Sequence, residues 1–402
     1  MAGTIQDVVV VGGGLIGSAL AAVLAQAGAR VSLIDRLSDR DRADPAFDGR
    51  AYAFSLGSAR LVDRIGLWAA LEPDAQPICG IQVGEGAGSP VLLHFDPRNM
   101  DEARIGWIVE DHRLRRALID APAKVDVRAP AAVRSVQYGP GAARLHLDDG
   151  NTLAARLVVA ADGRRSAIAR EAGVGRLGWS YGQNGLVAAI EHAEDHEGVA
   201  HQSFFPGGPF AVLPLSGRRS SIVWSECKTR AEALMALDEA AYAAELRSRI
   251  GVRLGDVRLV GKRWAYPLDL TLAERYCAPR LALIGDAAHG VHPIAGQGMN
   301  MGLRDVAALA ETVVEAARRG EDMGSITVLE RYERWRRFDA TAFALGMDAL
   351  NRLFSNGSAG LSALRQAGLG VVSTLDPLKR ALMREATGQA GVVPRLLRGQ
   401  PL

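Results

Sequence analysis

An aspartate, two histidines and a run of glycines are compressed into LALIGDAAHGVHPIAGQGMNMGLRD, Leu281 to Asp305. Asp286 ends a short apolar strand, His289, His292 and Pro293 sit in the loop that follows, and Gly296, Gly298 and Gly302 lead into a helix expected over 301–317. Without Cβ atoms, Gly296 and Gly298 let main-chain N–H groups touch a bound group directly, and a helix start adds partial positive charge. The stretch therefore suits an electron-rich ligand, although alone it also fits a second nucleotide loop. His289 and His292, three apart beside Asp286, could open a metal site, but no third or fourth ligand accompanies them and no metal is expected. His292 and His112 are candidates for proton transfer, against the commoner role of a histidine bonded to backbone.

The N-terminus carries a second constellation, DVVVVGGGLIGSALAAVLAQAGARVSLID, in which a four-valine strand runs into Gly12, Gly14 and Gly17, a helix, and a strand ending in Asp35. This is the pattern of a dinucleotide-binding βαβ unit. Gly12 permits the tight turn, Gly14 admits a pyrophosphate, Gly17 lets helix approach strand, and Asp35 can take ribose hydroxyls. The pattern does not separate NAD from FAD. Asp162-Gly163-Arg164-Arg165-Ser166, at the end of a strand near 157–161, is suited to orienting a polar ligand or is an ordinary capped turn. Arg50 is either a surface charge at a loop end or a guanidinium reaching phosphate oxygens.

The elements that must position these groups fit a soluble protein of 402 residues, 48% hydrophobic and 23% charged. A net charge of +2 gives no case for nucleic acid. Cys79, Cys227 and Cys277 lie far apart with no metal-ligand spacing, which points to a reducing, cytoplasmic setting. The uncharged run from Val8 to Ala25 is broken by glycines and reads as a buried strand and helix. An amphipathic helix follows Arg50, with Leu61, Ile65, Leu67 and Trp68 facing a core. Another helix is expected to begin at Trp107, and single helices over 230–250 and 329–350. From Tyr181 to Glu226 short strands with aromatic and proline punctuation replace the strand–helix alternation and indicate a separate antiparallel sheet.

Taken together, the glycine fingerprint, the Arg50 segment, Val109-Glu110, Asp162-Gly163 through Arg170, and GDAAHGVHPIAGQGMNMGLRD resemble the class A FAD-dependent aromatic hydroxylases of the para-hydroxybenzoate hydroxylase fold. The phrases FFPGGPFAVLPL, IVW and LNRLFSN resemble their ubiquinone-biosynthesis branch. The resemblance implies an α/β protein: a Rossmann-like FAD-binding domain in three parts (1–77, 96–176, 267–346), an inserted antiparallel β-sheet substrate domain (78–95 and 177–266), and C-terminal helices (347–402). It implies that Asp286 binds the ribityl chain of FAD and that backbone around Gly298, Met299 and Asn300 faces the flavin pyrimidine edge. It also makes Arg50 and Arg113 pyrophosphate or flavin contacts, and ties Asp162 to both FAD and the nicotinamide donor.

The implied reaction hydroxylates the ring of a polyprenylated phenol with O2 through a flavin hydroperoxide, with NADPH or a protein electron donor as reductant. Such a site must exclude water. Pro293, Phe204, Phe205 and Trp224 are the expected dry wall, each aromatic being equally open to a purely structural role. The alternatives are hydroxylation of a small soluble aromatic, or a flavoprotein subunit of a biosynthetic complex that does not hydroxylate. No Arg or Lys occurs between Tyr181 and Leu215 to anchor a carboxylate, which favours the apolar substrate. Beyond Met347, Leu350, Leu353, Phe354, Leu361, Leu364 and Leu369 recur at helical spacing before a basic end. That segment is either a helical cap on the FAD domain or the border of an apolar access path resting on anionic lipid or a partner protein.

Overall fold

The computed structural model describes residues 5–42, 47–87, 91–100, 102–121, 124–355 and 375–402. Leu361, Leu364 and Leu369 lie outside the described residues. Three sheets carry the architecture. In the first, strands run in the order 277–278, 281–283, 152–160, 6–11, 31–34 and 126–128, and all of these pairs but the first are parallel. Val8, Val9 and Val10 are wholly buried. A parallel strand covered on both faces accepts such an unbroken valine run. The helices Leu15–Gln26 and Gly298–Arg318 pack together on this sheet.

The second sheet is ordered 289–290, 257–273, 176–192, 219–227, 208–215, 199–205, 80–85 and 93–95. It is antiparallel except for one parallel pair, Gly80–Glu85 with Val199–Phe205. A small third sheet joins Ala51–Ser55, Gly106–Glu110 and Gln76–Ile78. Two expectations are corrected here. Trp107 begins no helix: Gly106–Glu110 is a strand hydrogen-bonded on both edges, and the helix starts at Asp111. Its β-favouring residues Trp107, Ile108 and Val109 prevail over the helical pattern. Residues 230–250 form two helices, because Asp238 accepts a hydrogen bond from the Ala241 N–H at 2.8 Å and caps a new one.

The helix Gly298–Arg318 starts three residues before its expected first turn. Two turns into it lies a buried carboxylate. Asp305, with no solvent exposure, accepts hydrogen bonds from the Gly285 N–H at 2.9 Å and from Arg336 Nε at 2.8 Å, and pairs with His289 Nε2 at 2.6 Å. Arg336 lies on the buried stripe Leu329, Tyr332, Arg336, Ala340 and Ala344 of the helix Ile326–Phe354. The Tyr332 hydroxyl donates to the Leu283 carbonyl at 2.8 Å, so the same helix also grips the strand before Gly285. Burial pushes the Asp305 carboxyl up, but His289 and Arg336 outweigh it and hold it below the usual range.

The chain end is docked on the first domain. Leu396 and Leu397 are buried, Arg395 pairs with Glu315 at 2.7 Å, and Trp335 Nε1 donates to the Val392 carbonyl at 2.8 Å. Residues 387–402 pack as a cap, while the helix Asp376–Ala386 before them is preceded by the exposed Leu375 and carries the exposed Leu378 and Leu382. No helix among the described residues is long and apolar enough to cross a membrane.

Asp305→Asn removes the charge that the buried Arg336 guanidinium faces, and should cost about 3–5 kcal/mol of stability in denaturant unfolding at neutral pH. Because the folded pKa is depressed, the wild-type contribution is present above the ordinary value of 3.8 and is lost as pH falls through the lower folded value. The variant should lack that part of the acid dependence, and equal acid profiles would contradict the assignment.

Candidate functional site

The glycines of the first turn divide into those that pack and one that opens. Gly12 has φ +108°, and a Cβ there would strike the backbone of Ala161 and Asp162; a Cβ on Gly17 would overlap the Gly12 carbonyl. At Gly14 a Cβ would meet nothing within 4 Å. Gly14 precedes the helix Leu15–Gln26, whose start has no side-chain cap, so its first N–H groups face open space. Gly298 repeats the arrangement, with nothing within 4 Å and an uncapped helix start. Two open, glycine-cleared helix starts fit the pyrophosphate and the electron-rich ring edge of FAD.

Asp35 turns back on its own loop, accepting from the Gly13 N–H at 2.5 Å and the Leu37 N–H at 2.7 Å. Arg42, buried, donates to the Gly13 carbonyl at 3.0 Å and pairs with Asp39. The sequence reading missed Arg42 because a charge in the DRDR run has no phase to distinguish it. Asp162 accepts from the Ala167 N–H at 2.8 Å and so caps the short helix Ala167–Glu171. Its neighbour Arg164 reaches Asp286 at 3.0 Å, and Arg176 holds the Asp286 carbonyl at 3.0 Å.

Arg50 is gripped by Asp48 at 2.6 Å and Asp111 at 3.2 Å while lying 5.0 Å from the centre of the Trp264 ring. Burial raises the Tyr266 hydroxyl and the charges of Arg164 and Arg50 oppose that rise, which puts both guanidinium groups within electrostatic reach of one ring. The structure thus brings Arg50, Arg164 and Asp286 to one side. It does not bring Arg113, which is half exposed and pairs with Asp74 at 3.4 Å; Arg115 takes the inward position against Asp111 at 2.7 Å.

Asn300 acts as a latch. Its Oδ1 accepts from the Ser55 N–H at 3.0 Å and Ser58 Oγ at 2.7 Å, and its Nδ2 donates to the Ala53 carbonyl at 2.9 Å and Gln297 Oε1 at 3.0 Å. The uncapped start of the helix is thereby fixed on the strand Ala51–Ser55. Met299 is buried in the main core.

Against this helix start lies a cavity of about 350 Å³. Pro293, Ile294 and Gly296 form its floor, and the second sheet forms one wall with Ile81, Val83, Ala200, Phe204, Ala211, Leu213 and Val223. Phe343, Met347, Leu350 and Phe354 of the long helix close another side, with Phe354 stacked on Phe204 at 4.1 Å. Phe205 and Trp224 are corrected. Strand alternation turns them to the opposite face, where Trp224 is fully buried with Phe210 and Tyr242 beneath the helices Lys228–Met235 and Glu239–Ile250.

His292 is 1% exposed, edge-on to Tyr181 at 5.1 Å, with neither ring nitrogen hydrogen-bonded. Burial, helped by Arg164, lowers it to about 4, so the ring is neutral at pH 7. It does not line the cavity. His289 is held by Asp305, and no cluster able to hold a metal ion occurs among the described residues.

Residues 6–344 match the family described as FAD binding domain. The ubiquinone hydroxylase UbiL of Rhodospirillum rubrum is 44% identical over 99% of this chain and 94% of its own length. The 3-demethoxyubiquinol 3-hydroxylase of Escherichia coli is 34% identical over 95% of this chain and 98% of its own. Among solved structures, p-nitrophenol 4-monooxygenase PnpA of Pseudomonas putida shares the fold, with a TM-score of 0.79 at 20% identity over 96% of this chain and 99% of that one. With its two open helix starts and the full-length likeness to these hydroxylases, the chain belongs to the FAD-dependent aromatic monooxygenases, in the family that includes the ubiquinone hydroxylases.

Proposed function

We propose that this enzyme hydroxylates the aromatic ring of a polyprenylated phenol on the route to ubiquinone, with O2 as the oxygen source and NADPH or a protein donor as reductant. The observation that carries the reading is the cavity beside Pro293 and Gly298: its wall is built mostly from aliphatic and aromatic side chains and includes no lysine or arginine among the described residues. A small aromatic acid would need a cation there, and a prenyl tail does not. The names of the full-length relatives agree with this substrate class.

FAD, when bound, supplies the two-electron chemistry that activates O2. The protein's part is placement and exclusion. Gly14 and the helix start after it would hold the pyrophosphate, with Arg50 as a further cationic contact, and Asp286 would bind the ribityl chain. Backbone at Gly298, Met299 and Asn300 would face the ring edge, where helix N–H groups favour developing negative charge. Pro293 and Phe204 border the reacting end of the cavity and keep it dry. In this reading the first and third sheets carry the cofactor, and the second sheet carries the substrate.

Leu350 and Leu382, both on the cavity wall, are partly exposed. Next to Leu382, the outward Leu375 and Leu378 are flanked by Lys379 and Arg380, a combination suited to peripheral contact with an anionic bilayer from which the tail is drawn.

The purified protein should be yellow, and Asp286→Ala should lose most of its FAD by absorbance; full occupancy in that variant would displace the cofactor from this loop. In a strain lacking the protein, mass spectrometry of quinone intermediates should show a prenylated ring precursor accumulating, and an unchanged profile would defeat the reading. Leu378→Asp with Lys379→Glu should reduce co-sedimentation with phosphatidylglycerol vesicles and leave FAD content unaltered, whereas unchanged sedimentation would return the helix to a purely structural role.

A further inference from the structure

The cavity wall is not wholly apolar, and its polar groups differ in what the protein has already done with them. The Asn300 amide is fully engaged by Ser55, Ser58, Ala53 and Gln297. Ser55 Oγ is bonded to Ser58. His201 contributes to the wall from a strand position whose side chain points the other way, toward Arg253 and His196. Gln297 Oε1 accepts from Asn300, and two further polar side chains line the wall, Gln202 and Glu385. An amide such as Gln202 can hydrogen-bond but cannot take a proton at neutral pH.

Glu385 sits on the helix Asp376–Ala386, where Leu382, Glu385 and Ala386 share the face that lines the cavity. It is the only carboxylate on that wall among the described residues, and there it makes no ion pair and no side-chain hydrogen bond. The charges facing it are already committed. Arg304, from the helix Gly298–Arg318, pairs with Asp339 at 3.3 Å and donates to the Ala390 carbonyl. Arg336, from the helix Ile326–Phe354, donates to Asp305 and to Asp339 of its own helix. Arg98, in the turn Pro97–Met100 that the Glu385 helix touches, is engaged by Asp96. A partly buried carboxylate beside apolar surface, with no protein partner, is free to accept a hydrogen bond from a ligand in the cavity.

We infer that Glu385 accepts a hydrogen bond from the substrate's ring hydroxyl and takes that proton as the ring gains oxygen. The inference rests on the phenol reading above. When the ring carbon forms its new C–O bond, the O–O bond of the activated oxygen breaks, electron density leaves the ring hydroxyl oxygen, and its O–H bond breaks toward Glu385 to leave a dienone. The sp3 carbon then loses its hydrogen as a proton to the departing oxygen, which leaves as water, and the dienone oxygen recovers a proton from Glu385. The sum is C–H to C–OH with Glu385 regenerated, and O2 and the reductant are those of the family's reaction. Burial raises the Glu385 carboxyl above the ordinary carboxylate range, with Arg304 opposing the rise, so it becomes a better proton acceptor than a solvated glutamate.

The test compares wild type, Glu385→Gln and Glu385→Asp as FAD-loaded enzymes on a farnesylated phenol, following hydroxylated product against pH. In the wild type, kcat should rise with pH through a group titrating above the usual carboxylate range. Glu385→Gln should keep its FAD, lose about 100-fold in kcat with KM changed far less, and lose that acidic limb; Glu385→Asp should restore part of the rate and the limb. A Gln variant that raises KM alone, or that retains the acidic limb, would overturn proton transfer by Glu385 while leaving the phenol reading intact. Wild type that yields no hydroxylated product would overturn the phenol reading and this inference with it.

Discussion

Everything the site does depends on one carboxylate that never meets solvent. Asp305 joins the loop at Gly285, the ring of His289, and Arg336 from a helix thirty-one residues further along. Each partner belongs to a different part of the catalytic surround: Gly285 immediately precedes Asp286, His289 opens the strand that edges the second sheet, and Arg336 lies on the helix whose last turns close the cavity. A buried ion group of this kind adds little net stability over well-packed hydrocarbon, yet it is costly to break. Its effect is geometric, because a carboxylate offers a few directed lone pairs and all three donors must stand where those point.

The cavity shows a second constraint of the same sort. The sheet that walls it has two apolar faces, and strand alternation alone decides which residues meet substrate and which meet the helices Lys228–Met235 and Glu239–Ile250. Phe204 and Phe205 are neighbours in sequence and belong to opposite compartments. So do Val223 and Trp224. Trp224, one of the three aromatics expected in the dry wall, is instead buried in the second core.

The glycine turns were legible because their spacing encodes backbone approach, which no other residue can replace, and Gly12, Gly14 and Gly17 divide as their positions require. The family resemblance was legible from the loop after Asp286 for the same reason. Side-chain destinations were less so. Arg336 is one arginine among several in ERWRRFD, and only its phase with Leu329, Tyr332 and Ala340 marks it as inward. Glu385 and Gln202 carry no motif; they face the cavity only because a remote helix and an inner strand of the sheet meet there. Arg113 and Arg115 are two residues apart on one helix, and the turn angle, which a motif match ignores, sends the second of them inward.

The lone parallel pairing in the second sheet, between Gly80–Glu85 and Val199–Phe205, has a consequence for assembly. Its two strands are more than a hundred residues apart, and the earlier one leaves the chain between Gln76–Ile78 and Gly106–Glu110 of the small third sheet. Pairing so distant in sequence forms late, after the loop-closure entropy has been met. Until then Val199–Phe205 is a bare strand edge carrying two phenylalanines, the kind of surface on which nascent chains associate with one another. A fragment cut to the substrate sheet's central strands would keep that edge permanently open.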